Sequence, residues 1–118
     1  MTPDDAIRLR HIADALGSAI RFVKGRRRED LDKDQMLCFA LVRALEIVGE
    51  AASKVGDETR REQAQVPWAT IVGMRHRLVH AYFDIDLDIL WTTATEAAPA
   101  LLAQIKPLLD PSPKGSGN

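Results

Sequence analysis

The stretch Asp34-Gln35-Met36-Leu37-Cys38-Phe39-Ala40-Leu41-Val42-Arg43-Ala44-Leu45-Glu46-Ile47-Val48-Gly49-Glu50-Ala51-Ala52-Ser53-Lys54-Val55 decides the fold class. Leu37, Ala40, Leu41, Ala44, Val48, Ala51, Ala52 and Val55 recur at three- and four-residue steps, so they line one side of a helix that starts near Asp34 and stops at Gly56-Asp57. A stripe of that width has to be buried against another surface. On its flank Arg43, Glu46 and Glu50 share one strip of helix surface. They either form a solvated ion-pair ladder, or Glu46 or Glu50 orients a catalytic Arg or His carried by the next helix.

Upstream, the partner surface is legible. Thr2 offers a hydroxyl cap, Pro3 suits the first helical position, and Asp4 and Asp5 face the positive end of the helix dipole. Leu9, Ile12, Ala13, Leu16, Ala19, Ile20 and Val23 then form a second apolar stripe that ends near Gly25. The charged run Arg26-Arg27-Arg28-Glu29-Asp30 follows and, with Lys24, is the one dense basic cluster. It could hold phosphates, but its own acids offset much of its field, and a solvated loop is the simpler reading.

Downstream, residues 58–65 read as a polar linker to Val66-Pro67-Trp68, where a third helix begins with Trp68, Ile71, Val72, Leu78 and Val79 on its core face. Gly73 in its middle costs about 1 kcal/mol of helix propensity relative to Ala, which suggests close approach by another backbone. Asp84-Ile85-Asp86 reads as a turn, with Asp86 capping a fourth helix and Asp88 in its first turn. That helix carries Leu87, Leu90, Trp91, Ala94, Ala98, Leu101, Leu102, Ile105 and Leu108, and should kink or restart at Pro99. Residues 1–109 therefore read as one all-α domain, an antiparallel bundle of four to five helices with Trp68 and Trp91 as core anchors. Residues 110–118, rich in Pro, Gly and Ser, read as a disordered tail.

Composition bounds the function. A chain of 118 residues is long enough for one core and too short for two ordinary ones. Its net charge of −1 excludes a protein that grips polyanions through a global field, so any nucleic-acid contact must be local. No apolar run is long enough to cross a bilayer, and the start has no basic leader and apolar block, so the expected compartment is the cytoplasm. Cys38, the single cysteine, cannot form an intramolecular disulfide and sits in the apolar stripe, where it packs as a small hydrophobe.

Chemistry concentrates in Ile71-Val72-Gly73-Met74-Arg75-His76-Arg77-Leu78-Val79-His80-Ala81-Tyr82-Phe83. Arg75 and Tyr82, seven residues apart, share nearly one helix side, whereas His80 lies about 140° round from Arg75 at about 100° per residue. A straight helix cannot focus all three on one point. Either the helix unwinds around His80, or two copies of the segment face each other across a twofold axis and build a composite site; the second is favoured here. Such a group has the parts to split a phosphodiester without metal: an imidazole to move protons, a guanidinium to hold the phosphate, and a phenol to position it. In RNA the 2′-hydroxyl is a built-in nucleophile. A rival reading makes His76 and His80, four apart, a pair of zinc ligands, but His11 and Cys38 lie on other segments and no third ligand is evident; neither metal nor cofactor is expected.

Residues 71–86 resemble the signature of the HepT-like proteins of the HEPN superfamily, whose motif is Arg, four residues, His, one residue, Tyr; Arg75, His80 and Tyr82 fill it. Arg43-Ala44-Leu45-Glu46-Ile47-Val48-Gly49-Glu50-Ala51-Ala52 resembles the family's second helix and Val66-Pro67-Trp68 its approach to the motif, so the likeness covers about residues 5–109. The resemblance implies an all-α, homodimeric toxin of a toxin–antitoxin pair, acting as a metal-independent ribonuclease whose two motifs share a cleft. It implies that Arg75 and His80 are catalytic. His76 and Arg77 beside them, and Arg43, Glu46 and Glu50 on the preceding long helix, are expected to bind RNA or support them. It also implies a cognate antitoxin of the minimal nucleotidyltransferase type (MntA-like) that silences the toxin by binding it and by transferring AMP to Tyr82. A nucleotide on that phenol would add bulk and negative charge where RNA phosphates should lie. Many relatives have Asn after the motif Arg where this chain has His76, so a second imidazole competes for the proton-transfer role. The alternative function is a non-catalytic helical partner of a nucleotidyltransferase, suggested by the small bundle and its near-neutral charge.

Overall fold

The computed structural model describes residues 1–81 and 84–109, with His80 and Ala81 described by their backbone alone. Helix α1 (Pro3–Val23) opens where the Thr2 hydroxyl accepts the Asp5 N–H at 3.1 Å, and the chain turns away from it at Gly25, whose φ of 75° favours glycine. A one-turn helix α2 (Asp30–Lys33) leads into α3 (Gln35–Ser53). Asp34 caps α3 by accepting the Leu37 N–H at 3.1 Å. That hydrogen bond, followed by the one from Arg26, holds the Asp34 carboxyl below its ordinary range. The basic run between α1 and α2 is largely neutralised: Arg26 reaches Asp34 at 3.0 Å, and Arg28 bridges Asp32 at 3.2 Å and Asp88 at 2.7 Å.

The expected linker at residues 58–65 instead begins with a short helix, α4 (Asp57–Glu62). Contacts far away in sequence form it. Asp5, buried in the first turn of α1, accepts the Gly56 N–H at 3.1 Å and the Thr59 hydroxyl at 2.6 Å. From the same helix Arg60 donates to the Ala52 and Val55 carbonyls at 2.8 and 3.1 Å, satisfying the open end of α3, and its guanidinium stands 6.0 Å from the Trp68 ring centre.

The expected third helix is two helices, α5 (Trp68–Val72) and α6 (Met74–Leu78), with the break at Gly73. A Cβ on Gly73 would meet carbonyls of its own turn only, Ala69 O at 3.3 Å and Thr70 O at 4.0 Å. The close backbone approach expected there occurs instead at Gly49 of α3, where an added Cβ would lie 3.3 Å from Ile71 O and 3.5 Å from Val72 O. After Leu78 the chain becomes extended: β1 (Val79–Ala81) pairs antiparallel with β2 (Asp84–Ile85), Val79 opposite Ile85 and Ala81 opposite Asp84. Asp84 and Ile85 are thus a strand rather than part of a turn. Asp86 caps α7 (Leu87–Thr92) as expected, accepting the Ile89 N–H at 3.0 Å.

Pro99 is accommodated one turn early. Between α7 and α8 (Ala98–Leu109), residues Thr93–Ala97 form a π-helical turn in which the Ala98 N–H bonds to Thr93 O. The wider turn suits a proline that brings no N–H and would crowd the carbonyl four residues back. The fold is an all-α bundle with one minimal β-ribbon, and α3 is its centre, packed by α1 on one side and by α5 and α6 on another, while α8 covers α1. Leu9, Ile12 and Leu16 of α1 meet Leu41, Leu45 and Val48 of α3, Ile71, Met74 and Leu78 of α5–α6, and Leu90 and Ile105 in one core. Trp68 is buried, with its indole N–H donating to Gln63 O at 3.0 Å, but Trp91 is only half-buried at the core's edge. Cys38 is buried, which raises its thiol pKa. The expected tail at residues 110–118 lies outside the described residues. Among those described, no helix is long and apolar enough to cross a membrane.

Candidate active site

Helix α6 holds Arg75 at an exposed position. Met74 and Leu78, four apart, are buried against α3, which leaves Arg75, His76 and Arg77 on exposed positions of the same short helix. The Arg75 Nε–H donates to Glu46 Oε2 of α3 at 2.5 Å. Glu46 is four-fifths covered, its side chain 20% exposed, whereas Arg75 is 54% exposed. The carboxylate is therefore the fixed partner. Arg75 keeps the four N–H groups of its two Nη atoms without partners among the described residues, available to a ligand. The other oxygen of Glu46 lies 3.7 Å from Arg43 Nη1, which also reaches Glu50 Oε1 at 3.2 Å. The Arg43–Glu46–Glu50 strip is thus both a ladder and the holder of an Arg from a neighbouring helix.

These groups open into a groove of about 280 Å³ lined by Phe39, Val42, Arg43, Glu46, Arg75, Val79 and Ile85. Phe39, Val42, Val79 and Ile85 carry no polar signal, so nothing in residue type marked them as site walls; only the β-ribbon folding back over α3 brings them there. Phe39 and Ile85 also line a larger groove of about 580 Å³ that runs on towards Leu31 and Leu87, so the two hollows adjoin.

The helix stops at Leu78, two residues before His80, and the backbone of Val79 is already extended at φ −124° and ψ 105°. The helix does unwind before His80. His80 follows directly on Val79, a wall of the Arg75 groove. Its imidazole, and Tyr82 altogether, lie outside the described residues. The unwinding also removes the geometry of the zinc reading, because His76 on α6 and His80 on β1 no longer share a helix face. His76 is exposed and is not among the side chains lining the Arg75 groove. Arg77 faces a different hollow, of about 400 Å³, with Asp88, Ile89, Thr92 and Thr93. The structure therefore brings Arg43, Glu46, Glu50 and Arg75 together and sets Arg77 apart.

A family model described as "Ribonuclease HepT-like" matches residues 12–108 of this chain. Among curated proteins, "Putative RNase TTE0752" of Caldanaerobacter subterraneus subsp. tengcongensis is 42% identical over 86% of this chain and 90% of its own length. "Probable ribonuclease HepT" of Thermococcus cleftensis is 36% identical over 85% of this chain and 91% of its own. "Putative RNase MJ1380" of Methanocaldococcus jannaschii is 33% identical over 80% and 87%. No solved structure matches the chain. With a match across nearly all of the helical bundle, the groove of Arg75 and Glu46 included, the chain belongs to the ribonuclease HepT-like family of the HEPN superfamily.

Proposed function

We propose that this protein is a ribonuclease and the toxin of a toxin–antitoxin pair, cutting RNA without metal through Arg75 and His80. The observation that carries the reading is the Arg75 guanidinium, fixed through Nε by a covered carboxylate at 2.5 Å and open at both Nη atoms, on a groove whose wall leads into His80. In that role His80 takes the proton of a 2′-hydroxyl. The 2′-oxygen then attacks the adjacent phosphorus, the bond to the 5′-oxygen breaks, and that oxygen leaves with a proton returned by an imidazolium. The products are a 2′,3′-cyclic phosphate and a 5′-hydroxyl. Arg75 stabilises the charge that builds on the phosphoryl oxygens, a contribution that grows towards the transition state.

A homodimer completes the site in this reading. Met36 and Phe39 of α3 are 83% and 55% exposed, and Phe39 borders the Arg75 groove, so a second copy docked there would cover apolar surface and face its own motif towards the first. The partner that silences the toxin is an MntA-like nucleotidyltransferase, which binds it and transfers AMP from ATP to Tyr82. RNA is the substrate, met in the cytoplasm.

The test is to incubate antitoxin-free protein with total cellular RNA and EDTA, beside His80→Ala, and to analyse the fragment ends. Cyclic-phosphate ends from the parent alone are the expected result. No cleavage by a parent whose mass shows Tyr82 unmodified would leave the non-catalytic partner of a nucleotidyltransferase as the function.

A further inference from the structure

The seam between α1 and α3 changes character at Arg43. Towards the end of α1, Ala15, Phe22, Ala40, Ala44 and Ile47 line an apolar hollow. Towards its start, Arg8, His11, Glu50 and Lys54 line another, of about 240 Å³. Arg43 lies in both, and it also lines the Arg75 groove. We propose that the hollow of Arg8, His11 and Lys54 is a phosphate-binding subsite for single-stranded RNA, holding the backbone to one side of the bond that is cut. The inference rests on the ribonuclease reading and names where its substrate runs.

Charge is the first argument. Arg43 and Glu50 pair at 3.2 Å and largely cancel, which leaves Arg8 and Lys54 as cations with no carboxylate partner among the described residues. The chain has a net charge of −1 and neutralises its densest basic run, at Arg26 and Arg28, with Asp32, Asp34 and Asp88. Arg8 and Lys54 thus stand as two open cations in one hollow beside the Arg75 groove, whereas Arg26 and Arg28 of the run that looks basic in the sequence are paired with acids. Such local fields, not net charge, are what a phosphate backbone meets.

Geometry is the second. Arg8 and His11 stand one helical turn apart on α1, so a guanidinium and an imidazole present N–H donors on one face. Across the seam, Arg43 and Lys54 are separated by about 16 Å along α3 at its usual rise per residue. That span matches an extended strand that enters at Lys54, passes Arg43 and reaches Arg75. The hollow is open and carries Arg8, His11 and Lys54, as a solvated phosphate backbone requires, whereas the other half of the seam is walled mostly by alanines, Phe22 and Ile47.

The experiment compares the full-length parent with Arg8→Gln/Lys54→Gln. Uncleavable 2′-O-methyl RNA of increasing length is titrated by fluorescence anisotropy over a salt series, and cleavage of a dinucleotide is measured beside that of long RNA. The double variant should bind long RNA on the order of tenfold more weakly at low salt, with a salt slope shallower by about 1.4. Its KM for long RNA should rise with kcat kept, and its dinucleotide cleavage should match the parent's. Unchanged affinity and salt slope, with the parent still cleaving, would overturn the subsite alone and leave the patch to a protein partner. A parent that neither binds nor cleaves RNA would overturn the ribonuclease reading and the subsite with it.

Discussion

Glu46 on α3 accepts the Nε–H of Arg75 on α6 at 2.5 Å across 29 positions of sequence, and its other oxygen faces Arg43 at 3.7 Å. A carboxylate that is mostly covered thereby fixes a guanidinium that is mostly solvated, which is how a positioning residue differs from an ornamental surface pair. Glu46→Gln should lower kcat for RNA cleavage about tenfold or more with KM little changed, because the guanidinium loses its charge partner and its fixed orientation. Stability should fall by no more than about 1 kcal/mol, since the pair is partly solvated. Cleavage kinetics beside thermal unfolding separate the two. A variant that cleaves within twofold of the parent would reduce the pair to a ladder.

Gly49 carries a second prediction, about how Arg75 is kept in place. An alanine there would gain up to about 1 kcal/mol of helix propensity, but its Cβ would stand 3.3 Å from Ile71 O, a backbone atom at the end of α5 that leads straight into α6. Overpacking against backbone costs about 1–3 kcal/mol, so the net effect should be a loss. Gly49→Ala should lower Tm by a few degrees and lower cleavage as well. A raised Tm would show that α5 shifts freely on α3.

Asp5 predicts a pH dependence of stability. The Thr59 hydroxyl, more than the Gly56 N–H, holds its carboxyl below the ordinary aspartate range against the opposing effect of burial. A carboxyl whose folded pKa is depressed stabilises the fold above its unfolded value, near 4, and loses that stabilisation as pH falls through the folded value. Asp5→Ala should cost about 2 kcal/mol at neutral pH, since it strips the buried Thr59 hydroxyl of its acceptor. Denaturant titrations from neutral pH downward should show a shallower acid loss in Asp5→Asn than in the parent; identical acid limbs would exclude the Asp5 contribution.

These contacts mark where sequence reading runs out. The caps at Thr2, Asp34 and Asp86 and the stripes of α1, α3 and α8 are local signals, and the structure honours them within a residue or two. The split of the third helix at Gly73, the β-ribbon and α4 depend on partners far away: Gly49 against Ile71, Ile85 against Val79, Asp5 against Thr59. A five-residue helix or a two-residue strand has too little periodicity to announce itself, and tertiary contacts choose its conformation. The same holds for the site. Three- and four-residue spacing was enough to offer Glu46 as a holder for an Arg, whereas Phe39, Val79 and Ile85 became walls only when the ribbon folded over α3.

The two histidines of the motif segment are separated along the backbone by the end of α6, and that separation predicts which one moves protons. His76 follows Arg75 by one helical position, about 100° round, exposed and off the groove that Arg75 lines. His80 stands beyond the helix end, next to the groove wall at Val79. If proton transfer belongs to His80, His76→Asn should keep kcat within about twofold and leave the pH–rate profile in place, whereas His80→Asn should lower kcat by at least about 100-fold. The profile matters more than the rate, because His76 could support RNA binding as a donor without titrating in catalysis. A His76→Asn enzyme whose alkaline or acid limb moves while its KM stays fixed would transfer the proton role to His76, and the motif histidine would then be a positioning residue.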